Sequence, residues 1–180
     1  VTNSHLWATM VAARKRGARL VCIDPYRSRT AERCDWHLAP RPGTDGALAL
    51  GMMHVLFRDG LADRDYIDRY CLGGPELEAR VRDEYPLEKV SRITGLPASD
   101  IEKLAHEFAT SRPSAIRINY GMQRHAGGGM AMRTVTCLPA VSGAWRDYGG
   151  GIMLSTSGMY PFDVAGLERP DLSPPGTRTV

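Results

Sequence analysis

The stretch from residue 19 to residue 50 constrains the fold more than any other part of this chain. A short apolar run, Leu20-Val21-Cys22-Ile23, ends in an acid, Asp24, and a basic turn follows, Pro25-Tyr26-Arg27-Ser28-Arg29-Thr30. Further on, Arg41-Pro42-Gly43-Thr44-Asp45 opens directly onto an apolar helical pattern. A short apolar run bounded by turn residues reads as a buried parallel strand, and its alternation with helices makes the chain α/β. Acids and arginines presented at the ends of a strand and a helix suit a ligand that carries both hydrogen-bond donors and phosphates.

Size and composition set the frame for that reading. A chain of 180 residues can build one α/β domain with its own core, and 43% hydrophobic with 24% charged residues is an ordinary globular balance. The formal charge of +3 is small, and only Tyr26 and Trp36 interleave the basic region, so a nucleic-acid partner is not expected. No run has the length of a membrane-spanning helix, and no signal-peptide pattern opens the chain, which starts at Val1 as a piece of a longer protein could. Cys22, Cys34, Cys71 and Cys137 form no C-x-x-C pair, so neither a zinc site nor an iron–sulfur cluster is expected in this segment. The thiols read as isolated buried groups, and the metal-like run Cys34-Asp35-Trp36-His37 is not read as a site.

The pattern begins with a helix. Thr2-Asn3-Ser4 offers N-cap residues, Leu6, Trp7, Met10 and Val11 fall at helical spacing, and Arg14-Lys15-Arg16 with Gly17 closes the element. The strand over 18–24 comes second. In a mononucleotide-binding unit a strand and a glycine-rich turn precede the first helix, so the sheet's first strand is expected outside this chain. A strand of this chain paired beside Leu20 to Ile23 would count against that. A helix then starts at Gly43-Thr44-Asp45, with Leu48, Met52, Val55 and Leu56 as its apolar face and Gly60 as its stop. Short helices follow at about 64–71, 75–84, 87–93 and 97–111. A second strand over 114–120 leads into Gly121-Met122-Gln123-Arg124-His125-Ala126-Gly127-Gly128-Gly129 and a helix over 130–142 that Pro139 should bend. Gly149-Gly150-Gly151 is expected to interrupt further packing.

The fold expected is therefore α/β: an incomplete Rossmann-like, doubly wound parallel sheet with a helical insertion at about 61–112. It forms a single nucleotide-binding domain over 1–159, with an extended or disordered tail over 160–180.

Several residues carry candidate chemistry. Asp24 ends its strand where an acid accepts from ribose hydroxyls in doubly wound folds, although an Asp-Pro pair is also a common turn former. Arg27, Arg29, Arg33 and Arg41 could contact a pyrophosphate or stack on a base, and Thr30 could donate its hydroxyl to phosphate; a solvated basic face explains at least two of the four arginines. Thr44 is placed to cap the next helix, and Asp45 to complement its N-terminal dipole.

Three motifs carry a resemblance to a known family. Asp24-Pro25-Tyr26-Arg27-Ser28-Arg29-Thr30 is similar to the Asp-Pro-Arg-x-x-x-Thr pattern of the molybdopterin-dependent oxidoreductases of the dimethyl-sulfoxide-reductase type, with Tyr26 where an Arg is commoner. Arg41-Pro42-Gly43-Thr44-Asp45 resembles their second motif, and Gly121 to Gly129 their third, Gly-x-Gln-x-x-x-x-Gly-Gly. The resemblance runs over nearly the whole chain and includes formate dehydrogenases, nitrate reductases, and thiosulfate or polysulfide reductases. It implies a segment that binds one guanine dinucleotide arm of a molybdenum or tungsten bis-pterin cofactor, molybdopterin guanine dinucleotide. Asp45 would accept from the two N–H donors of the guanine edge, and Asp24, Pro25, Arg27, Arg29, Thr30, Gly43 and Thr44 would line the nucleotide. Gly121, Gln123, Arg124 and His125 would lie on the pterin or substrate side, with His125 a candidate general base. The metal ligand and any iron–sulfur cysteines would lie upstream and a further cofactor-binding domain downstream, so no residue here is assigned to metal or to catalysis.

The parent enzyme would transfer two electrons, often with an oxygen atom, and its remaining domains would be this segment's partners. The segment alone would be inactive and, with unpaired sheet edges, prone to self-association. A different class remains open: a non-catalytic nucleotide-binding or regulatory domain that kept the scaffold and lost the redox site.

Overall fold

A computed structural model describes residues 4–154, 161–172, 174 and 176. Its elements are α1 (Ser4–Lys15), β1 (Val21–Ile23), β2 (Trp36–Leu38), α2 (Asp45–Arg58), α3 (Arg64–Tyr70), α4 (Gly74–Glu84), α5 (Leu87–Thr94), α6 (Ala98–Thr110), β3 (Ala115–Arg117), α7 (Gly128–Val141), β4 (Gly151–Met153) and α8 (Val164–Glu168). The chain is α/β, as its alternating pattern implies, and both strand pairs are parallel, β1 with β2 and β3 with β4.

Helix α2 is the centre of the core. Leu48, Ala49, Met52, Met53, Val55, Leu56 and Phe57 are all buried, more than one face can hold, because other helices pack around it. Each large side chain removed from water there contributes roughly 1.5–3 kcal/mol, so burial of α2 outweighs any single polar contact in the fold. Gly51 lets α5 come close: a Cβ there would lie 2.8 Å from Val90 Cγ1. Gly46 faces α7, where an added Cβ would make ordinary contact with the Ala131 Cα at 3.4 Å. On the α4 side, His54 Nδ1 bonds the Val81 carbonyl at 3.0 Å, and the Arg82 guanidinium donates to the Phe57 carbonyl at 2.7 Å. Helices α5 and α6 present Leu87 and Val90, and Ile101, Leu104 and Ala105, to the same core.

The helices stop where their sequences end them. Gly60 and Gly95 adopt positive φ just beyond α2 and α5, a region that favours glycine. Asp63 caps α3 by accepting the Tyr66 N–H at 2.9 Å. Thr94, fully buried at the end of α5, satisfies its hydroxyl by donating to the Val90 carbonyl and accepting from Leu96 N–H.

Three expectations are corrected. The partner of β1 is Trp36–Leu38, a strand of this chain, with Val21 beside Trp36 and Ile23 beside Leu38. That pairing removes the argument for an outside strand along this edge. Gly149-Gly150-Gly151 does not interrupt packing: Gly151 starts β4 and its N–H bonds the Ser114 carbonyl at 3.0 Å. A Cβ at Gly151 would lie 2.4 Å from the Trp145 ring, so glycine is what lets the strand pass beneath the indole. Finally, the thiols are half-buried, and Cys22 and Cys34 lie close enough to influence each other's ionisation, so these two are not isolated groups.

Helix α7 runs on through the buried Pro139 to Val141. Helix α1 starts at Ser4, while Thr2 and Asn3 lie outside the described residues. In the tail, Val164–Glu168 is a short helix, and residues 155–160, 173, 175 and 177–180 lie outside the described residues.

Candidate functional site

Parallel pairing of β1 and β2 puts their C-terminal ends together, the edge at which open α/β sheets hold ligands. Asp24 follows β1 and is pinned from three directions. Its N–H donates to the Leu38 carbonyl at 3.0 Å, its own carbonyl accepts from His37 Nε2 at 2.8 Å, and its Oδ1 accepts the Tyr26 N–H at 2.8 Å. Asp24 thus closes a turn on the following Pro25-Tyr26 with one carboxylate oxygen. In the loop that follows, the Arg27 and Arg29 guanidiniums are exposed, without a protein partner among the described residues. Thr30 is half-buried and its carbonyl accepts from Arg33 N–H at 3.1 Å.

The other two arginines of the basic region have structural work. Arg33 lies over the Trp7 ring, 5.8 Å from its centroid. Arg41 donates to the carbonyls of Arg92 and Ile93 at the C-terminal end of α5, where a cation is favoured. Arg41 also receives the backbone of that helix, its N–H bonding Thr94 O at 2.8 Å.

The second motif continues from β2 through Arg41 into α2. Gly43 takes φ +78°, and Thr44 sits at the N-cap position of α2. The Thr44 hydroxyl, expected to cap the helix, makes no cap bond and donates to the Arg41 carbonyl at 2.7 Å; its backbone, at φ −105° and ψ 11°, is outside the extended region that N-caps usually adopt. Asp45 is then the first residue of α2, half-buried, and its carboxylate has no hydrogen bond or ion pair among the described residues. An acid in that place is favoured by the helix dipole and still has both oxygens to offer.

The third motif follows β3. Asn119 accepts the Tyr120 N–H at 2.9 Å and starts a turn over Tyr120–Gln123; the chain then enters α7 through Gly127 and Gly128. Gly128 is obligatory in this geometry, since a Cβ would lie 2.3 Å from the Gln123 carbonyl oxygen. Gly121, Gln123, Arg124 and His125 are all exposed, and the Arg124 guanidinium has no protein partner among the described residues.

His125 joins the second and third motifs. A Cβ on Gly43 would lie 3.6 Å from the imidazole Cε1, and one on Gly127 would lie 3.5 Å from the same atom, so the ring rests between two glycines. With Gly46 against Ala131, the N-terminal ends of α2 and α7 stand side by side. The first motif is joined to the second through β2, but no hydrogen bond among the described residues links 24–30 to 121–129. Sequence reasoning missed His37 as the residue holding Asp24; the three-residue strand that carries it is too short to show a period.

Two other titratable groups of residues are structural. Cys34-Asp35-Trp36-His37 is no ligand set: Asp35 accepts the Leu20 N–H at 2.9 Å and the Arg14 Nε at 2.8 Å, and His37 turns to Asp24. The bond from Leu20 N–H, with Arg14 adding to it, holds the Asp35 carboxyl below its ordinary range. Burial beside Cys34 pushes the Cys22 thiol up to about 11. Asp59, Glu102 and His106 also converge, yet Arg58 hydrogen-bonds both carboxylates and supplies their cation. That contact, with His106 Nε2 at 2.8 Å, lowers the Asp59 carboxyl to about 2.

Comparisons with known proteins bear on the chain as a whole. Residues 2–160 match the family model described as molybdopterin oxidoreductase. The chain is 44% identical over 171 residues to the probable oxidoreductase YoaE of Bacillus subtilis, covering 95% of this chain and 25% of that protein. It is 39% identical to the acetylene hydratase of Syntrophotalea acetylenica and 36% identical to the dimethyl sulfoxide reductase DmsA of Escherichia coli, covering 79% and 77% of this chain. The chain spans only 20% and 19% of the length of those two proteins, respectively. The solved structure of acetylene hydratase from Pelobacter acetylenicus superposes with a TM-score of 0.73 at 38% identity, over 77% of this chain and 19% of that one. With a family match along most of its length and the strand-end and helix-start motifs in one α/β frame, the chain belongs to the molybdopterin oxidoreductase family.

Proposed function

We propose that this chain holds one guanine dinucleotide arm of a molybdenum or tungsten bis-pterin cofactor within a larger enzyme of two-electron or oxygen-atom-transfer chemistry. The observation that carries the reading is Asp45: a half-buried carboxylate, unpartnered among the described residues, fixed at the start of α2. Guanine offers two adjacent N–H donors, and a carboxylate can accept both at once, whereas adenine has no such edge.

The surrounding residues fit the rest of a dinucleotide. Asp24 keeps one carboxylate oxygen for its turn, which leaves the other for ribose hydroxyls. Arg27, Arg29 and Arg124 are guanidiniums without protein partners, suited to a pyrophosphate, and the Thr30 hydroxyl adds a neutral donor. Pro25 sets the turn, while Gly43 and Gly121 leave room for close approach of the ligand. Gln123, Arg124 and His125 stand on the pterin side, with His125 resting on the Gly43 turn of the guanine side. When bound, the cofactor supplies the metal centre that carries the redox chemistry, while the protein orients and tunes it. The residues of this chain bind and position; none of them is assigned a proton-transfer step, and the isolated chain is expected to show no turnover.

Calorimetric titration of the chain with GDP and ADP tests the reading. One bidentate contact to a base edge discriminates by about 1–3 kcal/mol, so GDP should bind at least about fivefold more tightly than ADP. Equal affinities, or no binding of either nucleotide to a folded chain, would overturn it.

A further inference from the structure

We infer that His37 is a positioning residue that sets the Asp24 carboxylate for ribose, an inference that rests on the reading of Asp24 given above. In the turn that follows, the Tyr26 N–H goes to the Asp24 carboxylate, and no backbone N–H among the described residues bonds the Asp24 carbonyl. That carbonyl is held instead by the His37 imidazole, Nε2 to oxygen at 2.8 Å, across the β1–β2 pair. A carbonyl accepts only, so the Nε2 position carries the proton. The adjacent residue, Leu38, accepts the Asp24 N–H at 3.0 Å. Both backbone groups of Asp24 are therefore fixed by consecutive residues of β2, and Oδ1 is fixed by the Tyr26 N–H at 2.8 Å. Three bonds leave the carboxylate one free oxygen in one direction. Remove the imidazole donor, and the peptide between Asp24 and Pro25 is free to rotate together with the turn it carries.

His37→Phe removes the donor and keeps a ring, and His37→Asn keeps polarity but is too short to reach. His37→Gln places an amide N–H close to the position of Nε2. The chain and these three variants are titrated with GDP and with 2′,3′-dideoxy-GDP, and exchange of the Tyr26 amide proton is followed by NMR. GDP affinity should fall about five- to tenfold in the Phe and Asn variants, the effect of losing one hydrogen bond. It should stay within about twofold in the Gln variant, and the dideoxy nucleotide should bind all four proteins alike. Tyr26 amide exchange should quicken in the Phe and Asn variants only. Unchanged GDP affinity in the Phe and Asn variants, or a Gln variant as weak as they are, would overturn the inference. If the parent chain binds no GDP, the guanine-binding reading fails by itself, and Tyr26 exchange decides the role of His37: equal protection in all four proteins refutes it.

Discussion

Gly128→Ala offers a sharp test of how the third motif is built. Gly128 is the first residue of α7 and is buried; an added Cβ would lie 2.3 Å from the Gln123 oxygen, 2.5 Å from its carbonyl carbon and 2.5 Å from its Cα. These are backbone atoms of the Tyr120–Gln123 turn, so no side chain can swing away, and the turn and the helix start must separate. Overpacking of this kind costs about 1–3 kcal/mol, and a clash with backbone belongs at the upper end. For a chain of this size that corresponds to a fall in Tm of about 4–10 °C. Gly129→Ala is the matched control, because nothing lies within 4 Å of its Cβ, and alanine in place of a helical glycine should gain up to about 1 kcal/mol. Urea denaturation followed by far-UV circular dichroism measures both variants. If Gly128→Ala is as stable as the parent chain or its neighbour, the proposed close approach of turn and helix is wrong.

Other expectations follow from the ion pairs, the caps and the thiols. Asp59 and Glu78 are held at about 2 by hydrogen bonds from Arg58 and Arg64. A depressed carboxyl stabilises fully above its ordinary value and loses that contribution as pH falls through the folded one. Denaturant midpoints should therefore decline between about pH 4 and pH 2, and a flat profile there would contradict the pairing. Arg41→Ala should lower stability by about 1 kcal/mol through loss of its bonds to the end of α5, leaving GDP affinity within about twofold; a large loss of affinity would show that Arg41 touches the ligand. With its thiol raised to about 11, Cys22 should alkylate slowly at pH 8 in the folded chain and quickly once unfolded, as mass spectrometry of labelled peptides can show. Fast labelling in the folded state would refute the burial argument.

The helices were legible because periodicity repeats along them. Leu48, Met52, Val55 and Leu56 announce α2, and Ile101, Leu104, Ala105 and Phe108 announce α6, both ending near where their residues imply. The strands were not equally legible. Trp36–Leu38 is three residues long and gives no alternation to count, and Gly151–Met153 opens on a glycine that reads as a breaker until Trp145 is seen above it. At the site, the positions of Asp24 and Asp45 followed from a strand end and a helix start, both local properties. What His37 and Arg41 do did not follow, since their partners lie 13 and 51 residues away; the pairing of β2 with β1 brings the first together, and the passage of the Arg41 turn along the end of α5 the second. Thr44 shows the limit even of local rules: a cap-forming residue stood at the cap position, yet its backbone is not extended there and its hydroxyl only donates back to Arg41.

The most direct measurement is the affinity of the chain for GDP and for inosine diphosphate, which lacks the guanine amino group, in the parent and in Asp45→Ala. The parent should prefer GDP by about tenfold, the worth of one hydrogen bond to a charged acceptor, and the preference should vanish in the variant. A preference that survives the loss of Asp45, or never existed, would mean that this carboxylate does not read the base.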